Sequence, residues 1–184
     1  MSGWDGGAET GPDPTGSTQA SGDADATVRS APVGGSAGSL LPGDPRQLGA
    51  FYLDGRLGAG GQGVVYEGYG PDGTRVAVKA LHGVGDADRE NLRKEVRAWR
   101  RVEPFCTAKV LQDDIGGPVP FVVSEYVAGA DLRRAVGSGA PFGPEELRRL
   151  AIGVATALVA IHRADVVHRD LKPENILLGP DGPG

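Results

Sequence analysis

The chain has 184 residues, 39% of them hydrophobic, with a formal net charge of -5, and is long enough for one ordinary core. Six acidic side chains (Asp5, Glu9, Asp13, Asp23, Asp25, Asp44) face one basic one (Arg29) before position 46, and the remainder carries eighteen of each sign, so no basic face marks a nucleic-acid partner. A single cysteine, Cys106, excludes an internal disulfide, and three histidines without Cys-His spacing speak against a zinc site; a reducing, cytoplasmic setting fits that usage.

Residues 1–45 are Gly, Ser, Thr, Pro, Ala and Asp with almost no large apolar side chains. Such a segment cannot offset its ordering entropy by burial and reads as a disordered leader. It lacks the basic region and apolar core of a signal peptide. Order is expected from about Leu48. Phe51-Tyr52-Leu53 and Arg56-Leu57 flank Asp54-Gly55, the second half reading as a strand. The glycine-rich run Gly58-Ala59-Gly60-Gly61-Gln62-Gly63 leads into a second strand, Val64-Val65-Tyr66-Glu67-Gly68-Tyr69. Pro71-Asp72-Gly73 is a turn signal, and 74–80 a third strand containing Val76-Ala77-Val78-Lys79. Residues 88–101 have helical spacing, with Leu92, Val96 and Trp99 on one face and Pro104 beyond the end. Short strands are expected at about 108–112 and 120–125. A short helix starts at Asp131, which can cap it. Pro144-Glu145-Glu146 opens a long helix over 144–163, with proline suited to the first helical position and the acids to the positive end of the dipole. Leu147, Leu150, Ala151, Val154, Leu158 and Ile161 form its apolar stripe. The longest apolar run, 151–161, is too short to span a bilayer. Ile176-Leu177-Leu178 reads as a strand, and Gly179-Pro180-Asp181-Gly182 as a turn.

Between the last helix and that strand lies Val167-His168-Arg169-Asp170-Leu171-Lys172-Pro173-Glu174-Asn175. An acid, a base and an amide within six residues suit phosphoryl transfer: a carboxylate for a hydroxyl proton, an ammonium for the moving charge, an amide oxygen for magnesium. The stretch resembles the catalytic loop of a eukaryotic-type protein kinase, with Lys172 at the serine/threonine-type position. A lone Gly-x-Gly-x-x-Gly is weak, but here the loop joins two strands and a Val-Ala-Val-Lys strand follows, whereas a dinucleotide-binding fold would join strand to helix.

The chain is thus similar to bacterial eukaryotic-like serine/threonine protein kinases from about Leu48 onward. The resemblance implies an α+β, protein-kinase-like fold: a five-stranded antiparallel small lobe with one helix (46–127), then the start of a helical large lobe with the catalytic loop (128–184). It implies ATP and Mg2+ as cofactors and protein Ser/Thr as substrate. Asp170 would be the base and Lys172 the electrostatic partner of the phosphoryl group. Lys79 would anchor the α- and β-phosphates, held by Glu95, with Glu90 as runner-up. Gly58, Gly60 and Gly63 would close over phosphate oxygens. Leu57, Val65, Ala77 and Leu177 would enclose adenine, which would bond to backbone groups of Glu125 and Val127. Asp131 falls where the ribose contact lies, or is a plain helix cap, or both. Asn175 would bind magnesium. His168 and Arg169 would hold the loop.

The sequence contains no Asp-Phe-Gly motif, the family's main magnesium ligand, which leaves Asn175 as the metal ligand on offer. The expectation is a kinase fragment or truncated product that is inactive alone, with part of the long helix uncovered. The competing reading is a non-catalytic, pseudokinase-like fragment that binds nucleotide or a partner. Oligomeric state is not legible.

Overall fold

The structure, a computed structural model, describes residues 37–104, 107–139, 142–179 and 182–183. Residues 1–36 of the expected leader, Cys106, and Pro180 and Asp181 of the expected turn lie outside the described residues.

In chain order the elements are β1 (Gly38–Ser39), β2 (Gln47–Leu48), β3 (Phe51–Gly60), β4 (Gly63–Tyr69), β5 (Arg75–Leu81), α1 (Asp86–Trp99), β6 (Val110–Asp114) and β7 (Phe121–Glu125). There follow β8 (Ala130–Asp131), α2 (Leu132–Gly137), α3 (Pro144–Arg163), a 3-10 turn (Pro173–Asn175), β9 (Leu177–Gly179) and β10 (Gly182–Pro183). The fold is α+β. The five long strands form an antiparallel sheet in the order β3-β4-β5-β7-β6, and the short β1 and β2 both pair with β3, making seven strands. A second small sheet runs β10-β9-β8.

β5 explains how the small lobe is built. Its residues read as one apolar run because both faces are covered, and the two-residue period sorts them. Val76, Val78 and Ala80 enter the core made with Phe51, Leu53, Val64, Tyr66, Phe121 and Val123. Ala77 and Leu81 turn to the opposite face, Ala77 with Val65 and Leu177, Leu81 with the helix α1. Leu92 and Val96 fasten α1 to Leu81, Ile115 and Val122, and each such burial is worth about 1.5–3 kcal/mol. The Arg100–Asp113 ion pair (2.8 Å) ties the end of the helix to β6. Trp99 reaches past the sheet to Ala160, Ile161 and Val166, joining the lobes.

Several expectations need adjusting. α1 begins and ends two residues before 88–101, with Gly85 as its N-cap. β3 runs through Asp54-Gly55 as one strand, absorbing the irregularity as register shifts at Leu53/Gly55 and Arg56/Gly58. β6 and β9 start later than 108 and 176. The ordered region includes residues 37–45: Gly38 and Ser39 pair with Arg56 and Gly55, and Leu40 packs on the core. The expected leader therefore reaches too far at its C-terminal end: strand pairing, Leu40 and the Asp44 side chain hold residues 37–45 to the sheet, none of which its composition signals.

α3 spans 144–163 as expected. The Gly143 N–H donates to Glu146 Oε2 (2.7 Å) at its start. Of its apolar stripe only Ile161 is buried, together with Ala160, whereas Leu147 and Ala151 are exposed. Near its C-terminal end, Ala157, Ala160 and Ile161 pack into the cluster with Trp99, Val102 and Val166. Among the described residues no helix is long and apolar enough to cross a membrane.

Candidate active site

The site is assembled by three pieces of chain that converge on the face of β5 carrying Ala77. Val65 on β4, Ala77 on β5 and Leu177 on β9 form a buried cluster, with Leu57, Tyr126 and Val127 packed at its edge. The structure thus brings together Leu57, Val65, Ala77, Val127 and Leu177, spaced over 120 positions of sequence, in one apolar cluster. β7 ends at Glu125, and the segment Tyr126-Val127 crosses from one lobe to the other. The Glu125 N–H donates to the Lys109 carbonyl (3.0 Å), so its carbonyl is the backbone group it would offer a base.

Residues on the same face of the sheet as Ala77 steady that crossing. The Arg75 guanidinium lies 3.7 Å from the Tyr126 ring centroid, in cation–π range. Its Nε donates to Glu67 Oε1 (2.7 Å), and the Tyr69 hydroxyl donates to the same oxygen (3.1 Å). That shared carboxylate pushes the Arg75 guanidinium and the Tyr69 phenol up from their usual ranges. Beyond the crossing, Gly129 adopts φ +151, and a Cβ there would collide with the Leu178 carbonyl group. Glycine is therefore required where β8 pairs with β9.

The glycine-rich run forms the turn between β3 and β4. Its three motif glycines are not equivalent. At Gly58 and Gly60 a side chain would meet nothing within 4 Å, whereas Gly63 has φ +148 and lies against the Ala80 backbone. Lys79, 9% exposed, pairs across the sheet with Val65. Its Nζ donates to Oε1 of Gln62 at the loop tip (3.4 Å). Glu95 is half-buried on α1. With Asn91, Lys94, Val167 and Arg169 it lines a groove of about 440 Å³ between the helix and the catalytic loop.

The catalytic loop is held from both ends. His168 is buried and packs edge-on against Trp99 (5.7 Å between centroids). Arg169 has φ +58, and the Asp170 N–H turns back to the His168 carbonyl (2.7 Å). A non-glycine residue in this region stores about 1–3 kcal/mol, a cost characteristic of functional loops. The Asn175 Nδ2 donates to the Asp170 carbonyl (2.7 Å) and to its Oδ2 (3.1 Å). Lys172 Nζ approaches the same Oδ2 (3.2 Å). An ammonium and an amide thus orient one carboxylate. Arg133 on α2 pairs with Glu174 of the 3-10 turn, and this bond lowers the Glu174 pKa.

Asp131 is buried. It caps α2, accepting from the Arg134 N–H (2.9 Å), and its Oδ2 faces Arg134 Nε (3.3 Å). The cap is thus present, and a ribose contact would have to share the carboxylate.

One acceptor at this loop is open to a hard cation, and the glycine loop leaves room for phosphates. Asn175 Oδ1 is buried with no hydrogen-bond partner among the described residues, and such an acceptor calls for an ion or water. The open space at Gly58 and Gly60 leaves backbone room for phosphate oxygens.

Residues 51–182 match the family model of the protein kinase domain. Serine/threonine-protein kinase AfsK of Streptomyces coelicolor is 43% identical over 143 residues, 76% of this chain and 18% of that protein. The probable serine/threonine-protein kinase PkwA of Thermomonospora curvata is 42% identical over 147 residues, 78% of this chain and 20% of that protein. Pkn1 of Myxococcus xanthus is 37% identical over 136 residues, 72% and 19% of the two chains. The chain spans about a fifth of the length of these relatives.

Proposed function

We propose that this chain, which belongs to the protein kinase family and is similar to bacterial serine/threonine kinases, carries the ATP-binding and catalytic-loop residues of a reaction that moves the γ-phosphoryl group of ATP to protein Ser/Thr, and that these 184 residues, which contain no Asp-Phe-Gly motif, bind nucleotide without catalysing the transfer alone. The observation that carries the reading is the apolar cluster of Leu57, Val65, Ala77, Val127 and Leu177. Val65 of the cluster pairs across the sheet with Lys79, and Leu177 is two positions from Asn175.

Adenine would lie between Ala77 and Leu177 and bond to the Glu125 carbonyl and the Val127 backbone. Lys79 would hold the α- and β-phosphates, with Glu95 as its carboxylate partner. The bound nucleotide supplies the γ-phosphoryl group. In that reaction Asp170 would accept the proton of the attacking hydroxyl, and Lys172 would neutralise charge on the moving group. Asn175 Oδ1 would face magnesium, its Nδ2 keeping Asp170 oriented. A cytoplasmic setting and a protein substrate belong to the same reading.

Calorimetric titration of ATP into the full chain and into Lys79→Met tests it. The variant should bind roughly ten- to a hundredfold more weakly, as expected for one charge-assisted contact. Equal binding by both would overturn the placement of the phosphates.

A further inference from the structure

We infer that Asp44 is a positioning residue: the segment 38–44 latches the first strand of the glycine loop and so sets the loop over the nucleotide. The inference rests on the nucleotide reading above and adds a component that lies outside the matched region 51–182.

One carboxylate makes four hydrogen bonds. Asp44 Oδ2 accepts from Arg56 Nε (2.6 Å) and the Leu41 N–H (2.7 Å). Its Oδ1 accepts from Arg56 Nη2 (2.6 Å) and the Tyr66 hydroxyl (2.8 Å). This uses about all four acceptor sites of an ionised carboxylate, and the fork-on-fork grip on Arg56 is the strong form of an ion pair. The Asp44 side chain is 5% exposed and that of Arg56 27%, which removes most of the screening that makes surface pairs negligible.

What the carboxylate grips matters more than how firmly. Arg56 and Tyr66 are cross-strand partners in β3 and β4, so Asp44 holds both strands of the hairpin whose tip is the glycine loop. Arg56 adjoins Leu57, which packs at the edge of the base slot. The β3–β4 ladder is irregular on both sides of this point, at Leu53/Gly55 and at Arg56/Gly58. The ladder alone therefore fixes the loop strand poorly where the latch seizes it. β1 pairs with Gly55 and Arg56, and Gly55 has no side chain where β1 passes: a Cβ would lie 2.6 Å from the Gly38 carbonyl oxygen and 2.7 Å from Ala37 Cβ. Two separate devices, an ion-pair fork and a side-chain-free crossing, meet at the same two residues of β3.

The experiment combines amide hydrogen exchange with ATP titration on the full chain, Asp44→Asn and Arg56→Lys. Asparagine keeps the shape and loses the charge; lysine keeps the charge and loses the fork. In both variants exchange at residues 57–64 should rise about tenfold or more, with β5 and β7 amides unchanged. ATP affinity should fall roughly three- to tenfold through misplacement of the loop, and the double variant should be no worse than either single one. Unchanged exchange at 57–64, or an equal rise through β5 and β7, would overturn the latch. Loosened loop amides with unchanged ATP affinity would overturn its link to the nucleotide. If the parent chain binds no ATP, the nucleotide reading fails by itself, and the exchange pattern alone decides the latch.

Discussion

Replacing Gly63 with alanine should separate the glycines of the loop into two kinds. The backbone at Gly63 has φ +148, and an added Cβ would overlap the Ala80 carbonyl oxygen while lying 3.0 Å from its carbon and 3.1 Å from Leu81 Cα. All three are backbone atoms of β5, so no flexible side chain can give way. The strained conformation costs about 1–3 kcal/mol. Relieving the overlap opens the end of the β4–β5 ladder, where the His82 N–H bonds to the Gln62 carbonyl (3.1 Å), a further loss of about 0.5–1.5 kcal/mol. Together these come to about 1.5–4.5 kcal/mol, or a melting temperature lower by roughly 3–18 °C for a chain of this size. Gly58→Ala and Gly60→Ala meet nothing within 4 Å and should melt within about 2 °C of the parent, while weakening ATP binding because their space belongs to the phosphates. Thermal melts and ATP titrations of the three variants make the comparison. A Gly63→Ala chain that melts with the parent, or a Gly60→Ala chain that falls as far, would refute the reasoning.

Acid stability should carry the signature of Asp44. The Arg56 fork holds its carboxyl far below the usual carboxylate range, against the opposing effect of burial and with help from the Leu41 N–H and the Tyr66 hydroxyl. A carboxylate lowered on folding contributes stability above the ordinary carboxylate range and loses it as pH falls below that range. The stability gap between the parent and Asp44→Asn should therefore be constant near neutrality and shrink in acid, as read from denaturant melts at stepped pH; a gap that widens in acid would refute this. In an assay with labelled ATP, magnesium and a generic protein substrate, the 184-residue chain should transfer no more phosphoryl than Asp170→Asn. The sequence contains no Asp-Phe-Gly aspartate to hold magnesium beside Asn175, and metal electrostatics supply much of this chemistry. Transfer that disappears in Asp170→Asn would contradict that expectation.

What was legible in the sequence follows from how local each signal is. The helix face of Leu92, Val96 and Trp99 repeats every three or four residues, and all three are buried. The proline and acids at 144–146 start α3 where it was expected. The cluster of Leu57, Val65, Ala77, Val127 and Leu177 could be grouped from the sequence only through resemblance, because each sits at a fixed offset from a short motif. The Asp44 contacts could not. They join residues 12 and 22 positions apart in a segment whose composition reads as disordered, and no periodicity betrays a single carboxylate that finds a fork. Gly55 and Gly129 were likewise invisible as requirements, since what fills the space beside each is another strand's backbone. The Arg75–Tyr126 contact links positions 51 apart in sequence and has no local pattern either.

The central claim is that nucleotide lies in the slot between Ala77 and Leu177, with its phosphates at the glycine loop and Lys79. The most direct test is a crystal structure of the full chain bound to a non-hydrolysable ATP analogue. The account predicts adenine against Ala77 and Leu177, its edge at Glu125 and Val127, and the phosphates beside Gly58, Gly60 and Lys79. Nucleotide density elsewhere on the chain, or a base in the slot with phosphates directed away from Lys79, would contradict it.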